Sequence, residues 1–368
     1  MAETVLITDI QRFSVNDGPG FRTNVYLKGC SMRCAWCHNP ETMAPYPEIY
    51  WKSRLCVQCG KCLEVCPRDA IEPPVLPERA QDEESGTYEM ARTLRAAPPA
   101  AAGAAAFGRC IAPAVRRLGP TVAAASKLAA SPAAQPQRII RSRCDRCMRC
   151  VEVCLYDALQ IVGKAMSVEE ILEEVLRDQP FYDNSGGGMT LSGGEPAAHA
   201  EFAQRLLKQA KDMGLNTCLD TNGFCEWEAF REIVRHADLV LYDLKHLDPA
   251  LHQEKTGVDN EIILKNLARL AESGKETWVR IPVIPDFNDS LEFHAQAAEF
   301  LAGLPGRVAR VDLLPFHNWC QDKYGWLGVD WNLREIESLD PVFLEIPAEI
   351  YREKGLNVTI GGSGFEKF

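Results

Sequence analysis

Three closely spaced thiols are the first chemistry this chain offers. Cys30, Cys34 and Cys37 stand in the run Gly29-Cys-Ser-Met-Arg-Cys-Ala-Trp-Cys-His-Asn39, separated by three residues and then by two. Iron–sulfur cubanes are held by cysteine thiolates, usually four. A set of three leaves one iron without a protein ligand, and an open coordination position is the mark of a catalytic rather than a structural metal site. The competing readings are a zinc knuckle completed by His38, or three buried thiols without a metal.

Eight further cysteines fall in two matching runs. Cys56, Cys59, Cys62 and Cys66 follow the spacing Cys-x2-Cys-x2-Cys-x3-Cys, and so do Cys144, Cys147, Cys150 and Cys154. Each run continues into Asp-Ala and an aliphatic residue, Asp69-Ala70-Ile71 and Asp157-Ala158-Leu159. This is the bacterial ferredoxin pattern, in which the fourth cysteine of each run serves the other cluster. Structural zinc normally takes two ligand pairs separated by a longer loop, which these tight runs do not provide. The repeat is therefore expected to carry two [4Fe–4S] clusters for electron transfer.

Residues 67–143 are more than a compact ferredoxin module needs. Ala and Pro dominate 96–136, and Ala96 to Arg143 contains no Asp or Glu, so this stretch reads as a linker or inserted segment. Arg138-Ile-Ile-Arg141 is expected to resume the module as a short strand. Basic residues collect here: Arg109, Arg116, Arg117, Lys127, Arg138, Arg141, Arg143, Arg146 and Arg149. They serve either to solubilise the segment and offset cluster charge, or to dock an acidic electron donor such as a flavodoxin.

These groups need elements to position them. Apolar runs at Thr23 to Lys28, Met189 to Leu191, Asn216 to Asp220, Leu239 to Asp243, Thr277 to Ile281 and Val311 to Leu314 read as strands. Amphipathic stretches at 167–178, 200–213, 226–236, 261–272 and 290–303 read as helices between them. Strands alternating with helices imply a parallel sheet, and about six units imply a partial barrel. In such folds the site lies at the carboxyl ends of the strands. Cys30, then Gly193-Gly194-Glu195, Asp220-Thr221-Asn222, Asp243 with Lys245, Arg280 and His317 all fall there. The glycines of Ser185 to Pro196 lack the ending of a phosphate loop. They suit close approach of a ligand to the backbone, with Glu195 as a partner for a ligand ammonium.

The whole chain bounds the rest. Its 368 residues fit one large domain or two ordinary ones. A net charge of −11 argues against nucleic acid as a partner. The start, Met-Ala-Glu-Thr-Val, reads as no signal peptide, and no apolar run is long enough to span a membrane. Fifteen clustered cysteines without an export signal favour metal binding in a reducing cytoplasm.

Together these motifs resemble the radical S-adenosylmethionine (SAM) superfamily, and within it the activating enzymes of glycyl radical enzymes, in their larger form. The resemblance rests on Asp17-Gly-Pro-Gly20, Gly29 to Asn39, Gly193-Gly194-Glu195, Asp220-Thr-Asn-Gly223, Asp243-Leu244-Lys245 and Leu313-Leu-Pro-Phe-His317, and covers the chain except about 73–137. It implies an α/β fold: a partial (β/α)6 radical SAM barrel with an inserted bacterial-ferredoxin-like two-cluster domain. Residues 1–50 would start the barrel, 51–163 form the insertion, and 164–368 complete the barrel.

The resemblance further implies three [4Fe–4S] clusters. The one at Cys30, Cys34 and Cys37 would bind SAM, cleave it reductively, and yield a 5′-deoxyadenosyl radical. That radical would take a hydrogen from a backbone glycine of a partner glycyl radical enzyme. Trp36, Cys37 and His38 would flank SAM, Gly194 and Glu195 would contact its methionyl part, and Asp243, Leu244, Lys245 and His317 would line the remainder. Asp17, Asp220 and Thr221, with Asp243, would hold a monovalent cation. A flavodoxin or ferredoxin would donate electrons. The run Cys147-Met-Arg-Cys150 leans toward a fumarate-adding synthase as partner. Other readings are a different radical SAM maturase that modifies a peptide, and a ferredoxin-type electron carrier. Cys218 reads as a small core residue, while Cys110, Cys225 and Cys320 carry no assignment.

Overall fold

In the computed structural model, which describes residues 4–73 and 138–363, all six expected strands form. The chain opens with the antiparallel pair β1 (Thr4–Ser14) and β2 (Arg22–Leu27). It then leaves the sheet, pairs β3 (Glu48–Trp51) with β4 (Leu159–Val162), and returns to the edge of β1 as β5 (Lys164–Ser167). There follow β6 (Gly188–Gly193), β7 (Asn216–Thr221), β8 (Leu239–Asp243), β9 (Thr277–Val283), β10 (Arg310–Pro315) and β11 (Val358–Ile360). Among the described residues nine strands form one sheet, ordered β11-β10-β9-β8-β7-β6-β2-β1-β5. From β2 to β11 every pairing is parallel, and the sheet stays open between β5 and β11. The six expected strands sit side by side within it. Three others escaped the sequence reading: β5 and β11 are four and three residues long, and β1 is largely exposed beyond Ile7.

Register sorts the side chains of this sheet into two faces, because successive residues of a strand point to opposite sides. Val25, Leu191, Leu219, Val240, Val279, Val311 and their alternates form the apolar face, fully or almost fully buried. Helices cover it. In Ala200–Asp212 the residues Phe202, Ala203, Leu206, Leu207 and Ala210 recur at helical spacing and are the ones buried. Helix Val168–Leu176 begins with a capping box, Ser167 and Glu170 each bonding the other's backbone N–H. The opposite face is largely polar: Asn24 lies in register with Thr190, and Asp243 and Asp312 with Arg280, while Asp220 shares the face beside a small apolar cluster of Cys218, Leu239, Leu241 and Trp278. It is the side that faces the site.

The ferredoxin-like part has its own small core of Ile49, Trp51, Ile71, Ile139 and Leu159 packed around cysteines. Its internal repeat is visible in the backbone. Gln58 and Arg146, Gly60 and Met148, and Asp69 and Asp157 occupy equivalent places in the two runs, and all six have positive φ. A chain that wraps tightly around a point needs such left-handed turns. The expected strand at 138–141 is a single bridge, Ile71 to Ile139. Arg138 turns inward and Arg141 donates to the Ile49 carbonyl at 2.7 Å, so neither residue belongs to an exposed basic patch. Arg143, Arg146 and Arg149 are exposed, while Cys110 and the other basic residues of the patch lie outside the described residues. Chain contacts join residues 4–72 and 138–363 into one compact unit.

Candidate metal and cofactor sites

The loop after β2 is held from several distant elements. Gly29 and Cys30 donate backbone N–H groups to the Thr42 and Met43 carbonyls at 2.6 and 3.1 Å. Arg33 and Ala35 donate to the Thr256 and Lys255 carbonyls at 2.7 and 2.9 Å, at the end of helix Pro249–Thr256. From far along the chain, Tyr324 Oη bonds the Cys37 carbonyl at 2.9 Å and Trp331 Nε1 the Ala35 carbonyl at 2.8 Å. A loop with this many anchors places its three thiols reproducibly. All three line one cavity of about 440 Å3, within the range of small-molecule sites.

The other walls of that cavity come from the strand ends. Gly194 approaches so closely that a Cβ there would meet the Gly29 carbonyl oxygen at 2.2 Å. Gly193, at φ +118°, would meet the Leu27 backbone. These glycines are thus required first by the cysteine loop pressed against them, and they also present backbone to the cavity. Opposite lie Asp243 and Lys245, whose Nζ is 2.6 Å from the Asp243 carboxylate. His38 and His317 stack with ring centroids 4.0 Å apart, and His38 Nε2 donates to the His317 carbonyl at 2.8 Å. Trp36 closes the inner wall and packs on Phe287.

Two expected contact residues do not line this space. Leu244 is buried in the core on the far side of β8. Glu195 is 1 % exposed, and its carboxylate is taken up by the chain itself. It accepts from Thr221 Oγ1 at 2.7 Å, Asn222 N–H at 2.8 Å and Ala197 N–H at 3.0 Å. Glu195 thereby holds the Thr221-Asn222 turn, and Asn222 in turn reaches toward the Cys30 sulfur. Burial pushes the Glu195 carboxyl up to about 7, while those three donors pull it back.

Opposite charges sit close together around the cavity. Arg280 lies 3.2 Å from Asp220 and 3.5 Å from Asp17, which also accepts from Asn24 at 2.6 Å. Burial works against the Lys245 ammonium, but Asp243, Cys34 and Asp220 together outweigh it and the pKa ends raised. Asp220 is raised by burial and pulled back by Arg280. Burial lifts the Cys30 thiol to about 12 and raises Cys34 and Cys37 as well. A cation able to displace those protons, as metals do from thiols, fits this donor set. His38 is pushed down to about 4 by burial and so is neutral at physiological pH.

Several contributors were missed in the sequence. Arg22 is fully buried and donates to Thr190 Oγ1, the Pro19 and Met189 carbonyls, and Asn216, tying the Asp17 loop to β6 and β7. Its signal was the polar–apolar alternation within strands. Trp319, Tyr324 and Trp331 stand in an aromatic-rich stretch that no spacing rule singles out. Trp319 is 79 % exposed at the rim, against His317.

The eight remaining ligand candidates meet in two pockets, crossed between the runs. Cys56, Cys59 and Cys62 share one with Cys154, and Cys144, Cys147 and Cys150 share the other with Cys66. Four thiols around one small space suit a cubane, and the crossing is the one the repeat leads one to expect. Cys218 and Cys320 are buried elsewhere, Cys225 partly so.

A family model described as the Radical SAM superfamily matches residues 141–298, and one described as a 4Fe-4S binding domain matches 49–72. The chain is 36% identical to the benzylsuccinate synthase activating enzyme of Thauera aromatica, covering 97% of this chain and 92% of that protein. It is 31% identical to the (2S)-3-sulfopropanediol dehydratase activating enzyme of Klebsiella oxytoca, over 97% and 96% of the two chains. The choline trimethylamine-lyase activating enzyme of Oleidesulfovibrio alaskensis is 34% identical over 92% of each. Among solved structures, a domain of the pyruvate-formate lyase-activating enzyme from Bacteroides vulgatus is 34% identical, with a TM-score of 0.42. That likeness covers 48% of this chain and 99% of the domain.

Proposed function

The chain belongs to the activating enzymes of glycyl radical enzymes, within the radical SAM superfamily, and from this we propose how its own residues divide the work. When bound, a [4Fe–4S] cluster and SAM supply reductive C–S cleavage and a 5′-deoxyadenosyl radical, which takes a hydrogen from a backbone glycine of a partner glycyl radical enzyme. Cys30, Cys34 and Cys37 hold that cluster. Gly194 offers backbone to the methionyl part of SAM, Lys245 and Asp243 supply opposite charges, and Trp36, His38 and His317 flank the rest. His38, stacked on His317 and bonded to its carbonyl, contributes a fixed flat surface. Glu195 and Leu244 position the walls: Glu195 by holding the Thr221-Asn222 turn, Leu244 by packing β8.

The observation that carries this reading is the meeting of all three thiols with Asp243, Lys245 and His317 in one cavity. A pure electron carrier has no use for such a space. The two crossed cysteine pockets support two further clusters, three in all, that deliver electrons from a flavodoxin or ferredoxin. Asp17, Asp220 and Asp243 outnumber Arg280 and Lys245, an excess that supports a bound monovalent cation beside SAM. Clusters and free thiols suit a reducing cytoplasm; no helix among the described residues is long and apolar enough to cross a membrane. The partner is a glycyl radical enzyme, and relatives of similar identity activate enzymes with different substrates.

The test is anaerobic. Reduced, reconstituted protein incubated with SAM is expected to release 5′-deoxyadenosine and methionine. Added glycyl radical enzymes are then screened for the glycyl doublet by electron paramagnetic resonance (EPR). Absence of both small products would falsify the reading.

A further inference from the structure

The two ferredoxin-type pockets have the same four sulfurs but different walls. The pocket of Cys56, Cys59, Cys62 and Cys154 is walled by Trp51 and Arg138, and that of Cys66, Cys144, Cys147 and Cys150 by Ile49, Ile71 and Ile139. Arg138 is 4 % exposed. Its guanidinium donates to the Cys56 sulfur at 2.8 Å and toward the Cys62 sulfur at 3.5 Å, and lies 5.4 Å above the Trp51 ring. Its Nε has no partner, and among the described residues no carboxylate forms an ion pair with it. A buried cation without a counter-charge is costly. Here the thiolates of a cluster are the anion it faces.

The second pocket has no arginine bonded to its sulfurs among the described residues. Arg141 lies near Cys144 and Cys150, and its Nε is likewise without a partner, but its guanidinium donates to the Ile49 carbonyl and to neither sulfur. Arg68 is exposed and paired with Asp145 at 3.2 Å. The sulfurs there receive neutral backbone donors, Ala70 N–H on Cys66 at 3.2 Å and Arg146 N–H on Cys144 at 3.4 Å. Charge-assisted hydrogen bonds are roughly twice as strong as neutral ones. Reduction adds negative charge to a cluster, so a fixed cation bonded to its sulfurs favours the reduced form and raises the potential.

We propose that Arg138 sets the potential of the cluster at Cys56, Cys59, Cys62 and Cys154 above that of the cluster at Cys66, Cys144, Cys147 and Cys150. The first is then the place where an arriving electron rests, and Arg138 is a positioning residue for electron supply. This rests on the two-cluster reading of the repeat given above.

The experiment is an EPR-monitored redox titration of the reconstituted protein, with Cys59→Ser and Cys147→Ser to assign the steps. With the step of the third cluster assigned by Cys34→Ala, Cys59→Ser is expected to remove the higher-potential of the two remaining steps and Cys147→Ser the lower. Arg138→Gln is expected to move the higher step to lower potential and leave the other in place, with Arg138→Lys between. The proposal is overturned if Cys147→Ser removes the higher step, or if Arg138→Gln keeps its iron and shifts neither step. Should Arg138→Gln lose iron, the order of steps in the unmodified protein decides. Iron and sulfide matching fewer than three clusters would remove the two-cluster reading of the repeat, and this inference with it.

Discussion

Glu195 was expected to meet a ligand ammonium, and the structure gives its carboxylate to the chain instead. Two backbone N–H groups and one hydroxyl converge on two buried oxygens. An amide at this position would turn an NH2 toward one of those N–H donors and leave it unpaired, at a cost of about 1–3 kcal/mol. Glu195→Gln is therefore expected to loosen the Thr221-Asn222 turn and weaken SAM binding several-fold, read by equilibrium binding, with cluster content kept. Cys34→Ala differs. It removes one of the three thiols proposed to hold the SAM-binding cluster, so SAM cleavage is expected to vanish. The iron of the two ferredoxin-type sites is expected to remain, measured by iron assay. The three thiols were legible because metal ligation demands fixed residue types at short spacing. The partners of Glu195 were not, since Thr221 and Asn222 are distant in sequence.

At the level of elements, helices Leu291–Ala302 and Glu345–Glu353 are joined by a buried polar contact, His294 Nδ1 to Tyr351 Oη at 3.0 Å. The other ring nitrogen has no partner, and burial pushes the imidazole down to about 4. A group whose folded pKa is depressed contributes stability above its unfolded pKa, and that contribution is lost as pH falls. Between pH 7.5 and 5.5 the protein is expected to lose about 1 kcal/mol from this residue alone. His294→Gln is expected to flatten that loss, read by urea unfolding at the two pH values. The helices themselves were readable from the spacing of apolar residues, as in Phe202, Leu206 and Ala210. The edge strands were not. Strand β11 has three residues and no pattern of its own, and it exists because β10 offers it a ladder, Val311 to Val358 and Leu313 to Ile360.

For the whole molecule, the ferredoxin-like part closes without residues 74–137. Ile71 and Ile139 form an antiparallel bridge, with Glu72 N–H on the Arg138 carbonyl at 2.9 Å and Ile140 N–H on the Ala70 carbonyl at 2.7 Å. Ends this close can be joined by a turn of a few residues. Replacing 74–137 by a short Asn-Gly-containing turn is expected to leave iron content and SAM cleavage within about twofold, checked by iron assay and 5′-deoxyadenosine release. Loss of either would show that the segment serves the sites. The sequence by itself determined the chemistry: eleven cysteines at ligand spacing and a run of strands ending in polar groups, because coordination and backbone periodicity are local constraints. Tertiary structure decided who shares a site. It gave Arg138, one of several basic residues open to a solubilising, charge-offsetting or docking role, a buried place against Cys56, and it drew Glu195 away from the ligand space. Those outcomes depend on register and packing between segments far apart in the chain, which no spacing rule encodes.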